Sequence, residues 1–242
     1  VGKTTTAINL GAALAATGQK VLIIDIDPQG NASTGLGIDL GARQTTTYDI
    51  LMAGAPLADA VQSTNVANLA IIPATTDLAS ADIDLVANER RIYLLQTALQ
   101  TPVGRSYDYV LIDCPPSLNL LTVNAFVAAD AVIVPLQSEF FALEGLSQLM
   151  LTIRDVRERA NPGLRIEGIA LTMHDARNNL ARQVEEDARE NLGDLVFETV
   201  IPRNVRLSEA PSYAMPVLDY DPASRGAQAY RALAAELLAR NA

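Results

Sequence analysis

Cysteine is nearly absent from this 242-residue sequence, the one instance being Cys114. A lone thiol excludes a disulfide framework, a four-thiolate zinc site and an iron–sulfur cluster held within one chain. Long hydrophobic runs are missing as well. Purely apolar stretches such as 21–24 and 131–134 are only a few residues long, against the roughly 20 needed to span a bilayer. The opening residues VGKTTTAINL carry neither a basic leader nor a small-residue cleavage site, so the expectation is a protein that stays in the cytoplasm and has no membrane partner. Positive charge is in deficit: 18 Lys and Arg against 28 Asp and Glu leave a formal charge of -10. That predicts solubility and argues against a surface coated in basic charge for nucleic acid, while leaving room for a local basic patch. Arginines do gather late in the chain, from Arg177 to Arg231, with acidic residues among them.

What is present is alternation. Short apolar runs rich in β-branched residues recur at 21–25, 69–73, 109–113, 131–135, 166–173 and 196–202, and read as buried strands. Segments of helical spacing lie between them, at 3–17, 76–100, 119–129, 142–160 and 178–192, with a terminal helix over 223–240. A continuous apolar strand must be covered on both faces, so the pattern predicts an α/β fold: a doubly wound, mostly parallel sheet with helices on both sides. No linker or repeat interrupts it, and residues 1–242 read as a single domain. Ligands of such sheets bind beyond the carboxyl ends of the strands, where the loops after Asp25, Asp113, Met173 and Ile201 should converge.

The chain starts with Gly2, Lys3, Thr4 and Thr5 after Val1, matching the end of the phosphate loop G-x-x-x-x-G-K-[ST], and runs at once into a helical segment. Backbone amides and the helix start favour anionic oxygens; Lys3 would reach the β and γ phosphates of ATP and the Thr4 hydroxyl would ligate Mg2+. A Gly-Lys-Thr triplet is common by chance, so its context decides. Asp113 ends the apolar run YVLID and precedes Cys-Pro-Pro-Ser, where a metal-supporting carboxylate would sit; the plainer reading is a strand-end cap. Asp25 and Asp27 close another run in IDIDPQGN, two residues apart and hence on one side.

The segments VGKTTTAINLGAALAATGQKVLIIDIDPQGNASTGLGI, YDYVLIDCPPSLNLLTVNA, ALEGLSQL, LTMHDARNNL and IPRNVRLSEAPSY, in this order across nearly the whole chain, resemble the ParA/Soj family of partitioning ATPases. That family's phosphate loop, K-G-G-V-G-K-T, has an extra lysine five residues before the usual one. By this resemblance the lysine, the front glycines and the first strand fall before Val1. The resemblance implies Lys3 on the phosphates, Thr4 and Asp113 on Mg2+, and Asp27 positioning the attacking water, with Asp25 a structural or metal-shell carboxylate. Met173, Pro202 and Asn204 fall in the family's adenine pocket; for Pro202 an ordinary strand terminator is the competing reading. Arg177 and Arg206 correspond to arginines that hold DNA nonspecifically, the plainer alternative being solvated surface residues. Implied partners are a ParB-like DNA-binding adaptor, DNA of any sequence and a second copy of the chain joined by ATP, at a cytoplasmic, nucleoid-associated location. The rival is a MinD-like positioning ATPase with a membrane helix, against which the tail GAQAYRALAAELLARNA lacks a dense lysine face and a bulky apolar tip. A nitrogenase-type iron protein is opposed by the missing paired cysteines.

Overall fold

A computed structural model describes residues 2–138 and 142–241; Val1, first residue of the loop motif, lies outside them. Six strands are present among the described residues: β1 (Val21–Asp25), β2 (Gln62–Ser63), β3 (Leu69–Ile72), β4 (Tyr109–Asp113), β5 (Ala131–Gln137) and β6 (Arg165–Thr172). They form one sheet in the order β2-β3-β1-β4 and a second of β5 and β6. Every pairing is parallel except that of β2 with β3. The architecture is α/β with a mostly parallel sheet, as the alternation of runs predicts.

β1 shows why the run VLIID contains no polar residue before its end. Val21 and Ile23 enter a core with the helix Lys3–Ala16 and the helix Arg225–Arg240, whereas Leu22 and Ile24 enter a second core on the other face with Ile50, Leu57 and Leu95. Both faces are covered, so a single charge on either would be stranded. The helix Lys3–Ala16 packs on β1, β3 and β4 and also on β5, so it spans both sheets. The apolar face of Arg225–Arg240, made of Tyr230, Leu233, Ala234 and Leu237, is buried in the same core.

The helix spans near 3–17, 119–129, 142–160, 178–192 and 223–240 are observed as Lys3–Ala16, Leu120–Ala128, Ala142–Arg159, Asn179–Leu192 and Arg225–Arg240. Asn119, Asn178 and Ser224 cap three of them by accepting a backbone N–H. Two expectations need correction. The span 76–100 is not one helix but a 3-10 turn (Thr76–Ser80) and two short helices, Ala81–Asp84 and Leu94–Leu99. Between them the Asn88 side chain accepts from the Arg90 N–H at 2.8 Å, a local turn that competes with helix. The run 196–202 is not a regular strand: it meets β6 and its continuation at the isolated bridges Ile169–Val196 and His174–Pro202, with the Phe197 N–H donating to the Ile169 carbonyl at 3.0 Å and the Ile201 N–H to the Leu171 carbonyl at 2.8 Å. In between, the Glu198 and Thr199 N–H groups donate to the Glu236 carboxylate at 2.8 and 2.9 Å rather than to a ladder.

Candidate nucleotide site

The helix Lys3–Ala16 begins on Gly2, whose φ of 88° lies in the left-handed region that a side chain disfavours. A Cβ there would also stand 3.4 Å from the Thr172 Oγ1 at the end of β6. Among the described residues no side chain caps this helix, and no acidic residue lies in its first turn. Its leading N–H groups therefore keep their positive ends for something from outside. Gly2, Lys3, Thr4 and Thr5 are all partly exposed, while the helix is buried from Ile8 to Ala15.

Three carboxylates gather at and after the ends of β1 and β4, and one of them, Asp113, lies beside Thr4 of this start. Asp25 and Asp113 are register partners at the ends of β1 and β4, and Asp27 follows two residues on. Their surroundings separate them. Asp25, fully buried, accepts the Ser33 hydroxyl at 2.7 Å, the Ser33 N–H at 2.9 Å and the Asp27 N–H at 3.2 Å. Burial still pushes its carboxyl above the ordinary range, against those hydrogen bonds. These bonds hold the chain from Asp27 to Ser33 against the end of β1. Asp113 is 1% exposed, and neither carboxylate oxygen has a hydrogen-bond partner among the described residues. Burial, helped by the Asp25 charge, pushes it up to about 7, with the Thr4 hydroxyl and Lys3 pulling the other way. Thr4 lies beside it without closing a full hydrogen bond. A buried carboxylate left without a donor is costly unless a cation meets it. Asp27 sits on the turn closed by Gly30 N–H to Asp27 C=O at 2.9 Å, and its Oδ1 accepts the Gln29 N–H at 3.0 Å.

Met173 follows Thr172 directly, so the end of β6 brings it close to the helix start. Met173 is 37% exposed with φ 53°, a left-handed conformation that costs a non-glycine residue on the order of 1 kcal/mol and clusters at ligand sites. Beside it the backbone of His174 pairs with the segment around Pro202, through His174 N–H to Ile201 C=O (3.1 Å) and Arg203 N–H to His174 C=O (2.9 Å). The Asn204 side chain accepts the Arg206 N–H at 2.9 Å and caps the helix Val205–Glu209. The arginines stand apart from the carboxylates and are paired. Arg177, 91% exposed, donates from Nε and Nη2 to both Asp175 oxygens at 3.0 Å, which holds Asp175 down to about 2. Arg206 meets Glu209 at 2.8 Å and Asp221 at 3.2 Å.

Sequence reasoning missed the residues that fix this helix. Buried Asn9 donates to the Thr5 carbonyl at 2.8 Å and accepts the Val217 N–H at 2.7 Å; the Thr6 hydroxyl meets the Tyr230 hydroxyl at 3.1 Å. The available signal was a polar residue on an otherwise apolar helix face, at Thr6 and Asn9.

Helix amides without an internal taker want an anion, and the carboxylate facing them wants a cation. A metal-bound phosphate chain satisfies both at once, which makes the protein a P-loop nucleoside triphosphatase by class. Comparison with known proteins narrows this. A family described as an AAA domain matches residues 1–166. The chromosome partitioning protein ParA of Caulobacter vibrioides is 59% identical over 241 residues, covering 99% of this chain and 90% of that protein. The sporulation initiation inhibitor protein Soj of Bacillus subtilis is 54% identical, covering 99% and 94%. Among solved structures, cobyrinic acid a,c-diamide synthase from Mycobacterium smegmatis with bound ADP and magnesium superimposes with a TM-score of 0.84 at 36% identity, covering 98% of this chain and 89% of that one. The chain belongs to the ParA/Soj family of chromosome-partitioning ATPases.

Proposed function

We propose that this ATPase moves DNA: it binds ATP with Mg2+, joins a second copy in the ATP state, holds DNA without regard to sequence, and hydrolyses when a ParB-like adaptor engages it. It acts as one domain over 1–242, in the cytoplasm and on the nucleoid. The observation that carries the nucleotide part is the partnerless Asp113 carboxylate beside Thr4 at an uncapped, glycine-led helix start. The partitioning role rests on relatives at 59% and 54% identity, against 36% for the amide-forming synthase.

The donor set fits Mg2+: a hydroxyl and a carboxylate, both hard oxygen ligands, with no histidine or thiol in the group. When bound, the ion neutralises charge on the β and γ oxygens. Gly2, Lys3, Thr4 and Thr5 hold the phosphates through backbone N–H groups and the Lys3 ammonium; Thr4 and Asp113 hold the metal. Asp27 orients a water toward the γ phosphate, a role suited to a carboxylate on a tight turn rather than one locked like Asp25. Met173, Pro202 and Asn204 flank the base. Arg177 and Arg206 contact DNA phosphates, which asks for charge but no base-reading geometry. Burial of Tyr230, Leu233 and Leu237 favours DNA over lipid, since the apolar face of the last helix is already spent in the core.

The test is a pair of substitutions in the full-length protein. Lys3→Ala should abolish binding of a fluorescent ATP analogue, while Asp27→Ala should retain binding and lose hydrolysis. Unchanged affinity in the first, or unchanged turnover in the second, refutes the corresponding assignment.

A further inference from the structure

Arg43 belongs to none of the motifs, yet it is one of the most confined charges in the molecule, at 7% exposure. Its guanidinium donates from Nε to the Ile38 carbonyl (3.1 Å), from Nη1 to the Ala74 carbonyl (2.8 Å), and from Nη2 to the Ile38 carbonyl (2.9 Å) and the Thr34 hydroxyl (2.9 Å). These acceptors are neutral; the nearest compensating charges, Asp25 and Asp39, act only at longer range. Burying a guanidinium without a hydrogen-bonded carboxylate is expensive, so the position is held for what it ties together.

It ties together the chain that follows Asp27. Thr34 lies in the short helix Asn31–Gly35, Ile38 ends that loop, and Ala74 follows β3. The Ala74 peptide is gripped at both ends, since its N–H donates to the Ser33 hydroxyl at 3.0 Å and that hydroxyl donates onward to Asp25. The guanidinium also lies directly under Gly30, the residue that closes the Asp27 turn. A Cβ on Gly30 would stand 2.4 Å from Nη1 and 3.1 Å from the Ala74 carbonyl oxygen. With φ 60° at Gly30, the turn can take one residue type and rests on one side chain.

We propose that Arg43 is a positioning residue for hydrolysis: it braces the Asp27–Gly30 turn from beneath and fixes the Asp27 carboxylate relative to the phosphates. The proposal rests on the role given to Asp27 above. Arg43 touches no phosphate in this scheme, so its loss should leave nucleotide affinity alone and lower turnover, because a displacement of about 1 Å can cost a reaction on the order of 100-fold.

The experiment measures turnover and affinity for a non-hydrolysable ATP analogue with Mg2+ in four full-length proteins: wild type, Arg43→Met, Asp27→Ala and the double variant. Arg43→Met should hold affinity within about threefold and lower kcat roughly 10- to 100-fold. On the Asp27→Ala background it should add little, because both act through one carboxylate. Arg43→Lys, which keeps the charge but not the fork, should recover part of the rate; it also stands in if the methionine variant does not fold. Full turnover in Arg43→Met, affinity that falls as far as turnover, or losses that add in full would each overturn the proposal. Normal turnover in Asp27→Ala would instead sink the Asp27 assignment itself, and the bracing role with it.

Discussion

Asp113→Asn should make the ligand-free protein more stable above neutral pH while destroying its use of Mg2+. The ordinary carboxyl value of 3.8 rises to about 7 in the fold, chiefly through burial. An acid whose folded pKa is raised binds more protons folded than unfolded between those two values, so stability falls as pH climbs through that window. At about 1.4 kcal/mol per pH unit across some three units, the buried charge costs the apoprotein on the order of 4 kcal/mol by pH 8. Asparagine removes the charge but brings an amide whose two N–H groups need partners, an offset of about 1–3 kcal/mol. A net gain of roughly 1–3 kcal/mol remains, which for a chain of this size is several degrees in Tm. Thermal unfolding with a chelator and no nucleotide, at pH 5 and pH 8, reads it directly. Wild type should lose stability between the two conditions more steeply than the variant; Asp25, also raised by burial, is coupled to Asp113 through charge, so the difference reads the relief of the pair rather than of Asp113 alone. With MgATP present the order should reverse, because wild type alone gains from binding. Equal pH slopes in the two proteins, or an apo variant less stable at pH 8, would refute the argument.

The paired arginines give a second expectation: Asp175→Asn frees Arg177 from its two-point contact and should tighten binding to duplex of any sequence in a polarisation titration. Arg177→Glu or Arg206→Glu should weaken it and flatten the log–log salt dependence by about 0.9 per lost contact. In the core, Gly168→Ala would set a Cβ 2.5 Å from the ring of fully buried Phe197, over which the Arg240 guanidinium sits at 4.2 Å. Overpacking of this kind should cost about 1–3 kcal/mol, read as a lower urea midpoint.

The sequence was legible where the information is local. β1 and β4 stand out because faces buried on both sides demand unbroken apolar runs, and the helix after Gly2 because its start is spelled by adjacent residues. The strand β2 has two residues, too few for any period to register. The run 196–202 has strand composition, but Glu236, some 37 residues later, takes two of its amides, and composition carries no trace of that. Arg43 was invisible for the same reason: its acceptors are mostly backbone carbonyls, which every residue owns, and one of them lies 31 positions away.

The bonds from Asn9 to Val217 and from Thr6 to Tyr230 join residues 208 and 224 positions apart. On a ribosome, the helix Lys3–Ala16 therefore emerges well before the segments that fasten it. At about 5–20 residues per second, it waits roughly 10–45 s for Tyr230 to be made. Until then the uncapped helix start has no fixed partner for Asp113 to face. Competence to bind nucleotide is therefore expected to wait until the helix Arg225–Arg240 has been made.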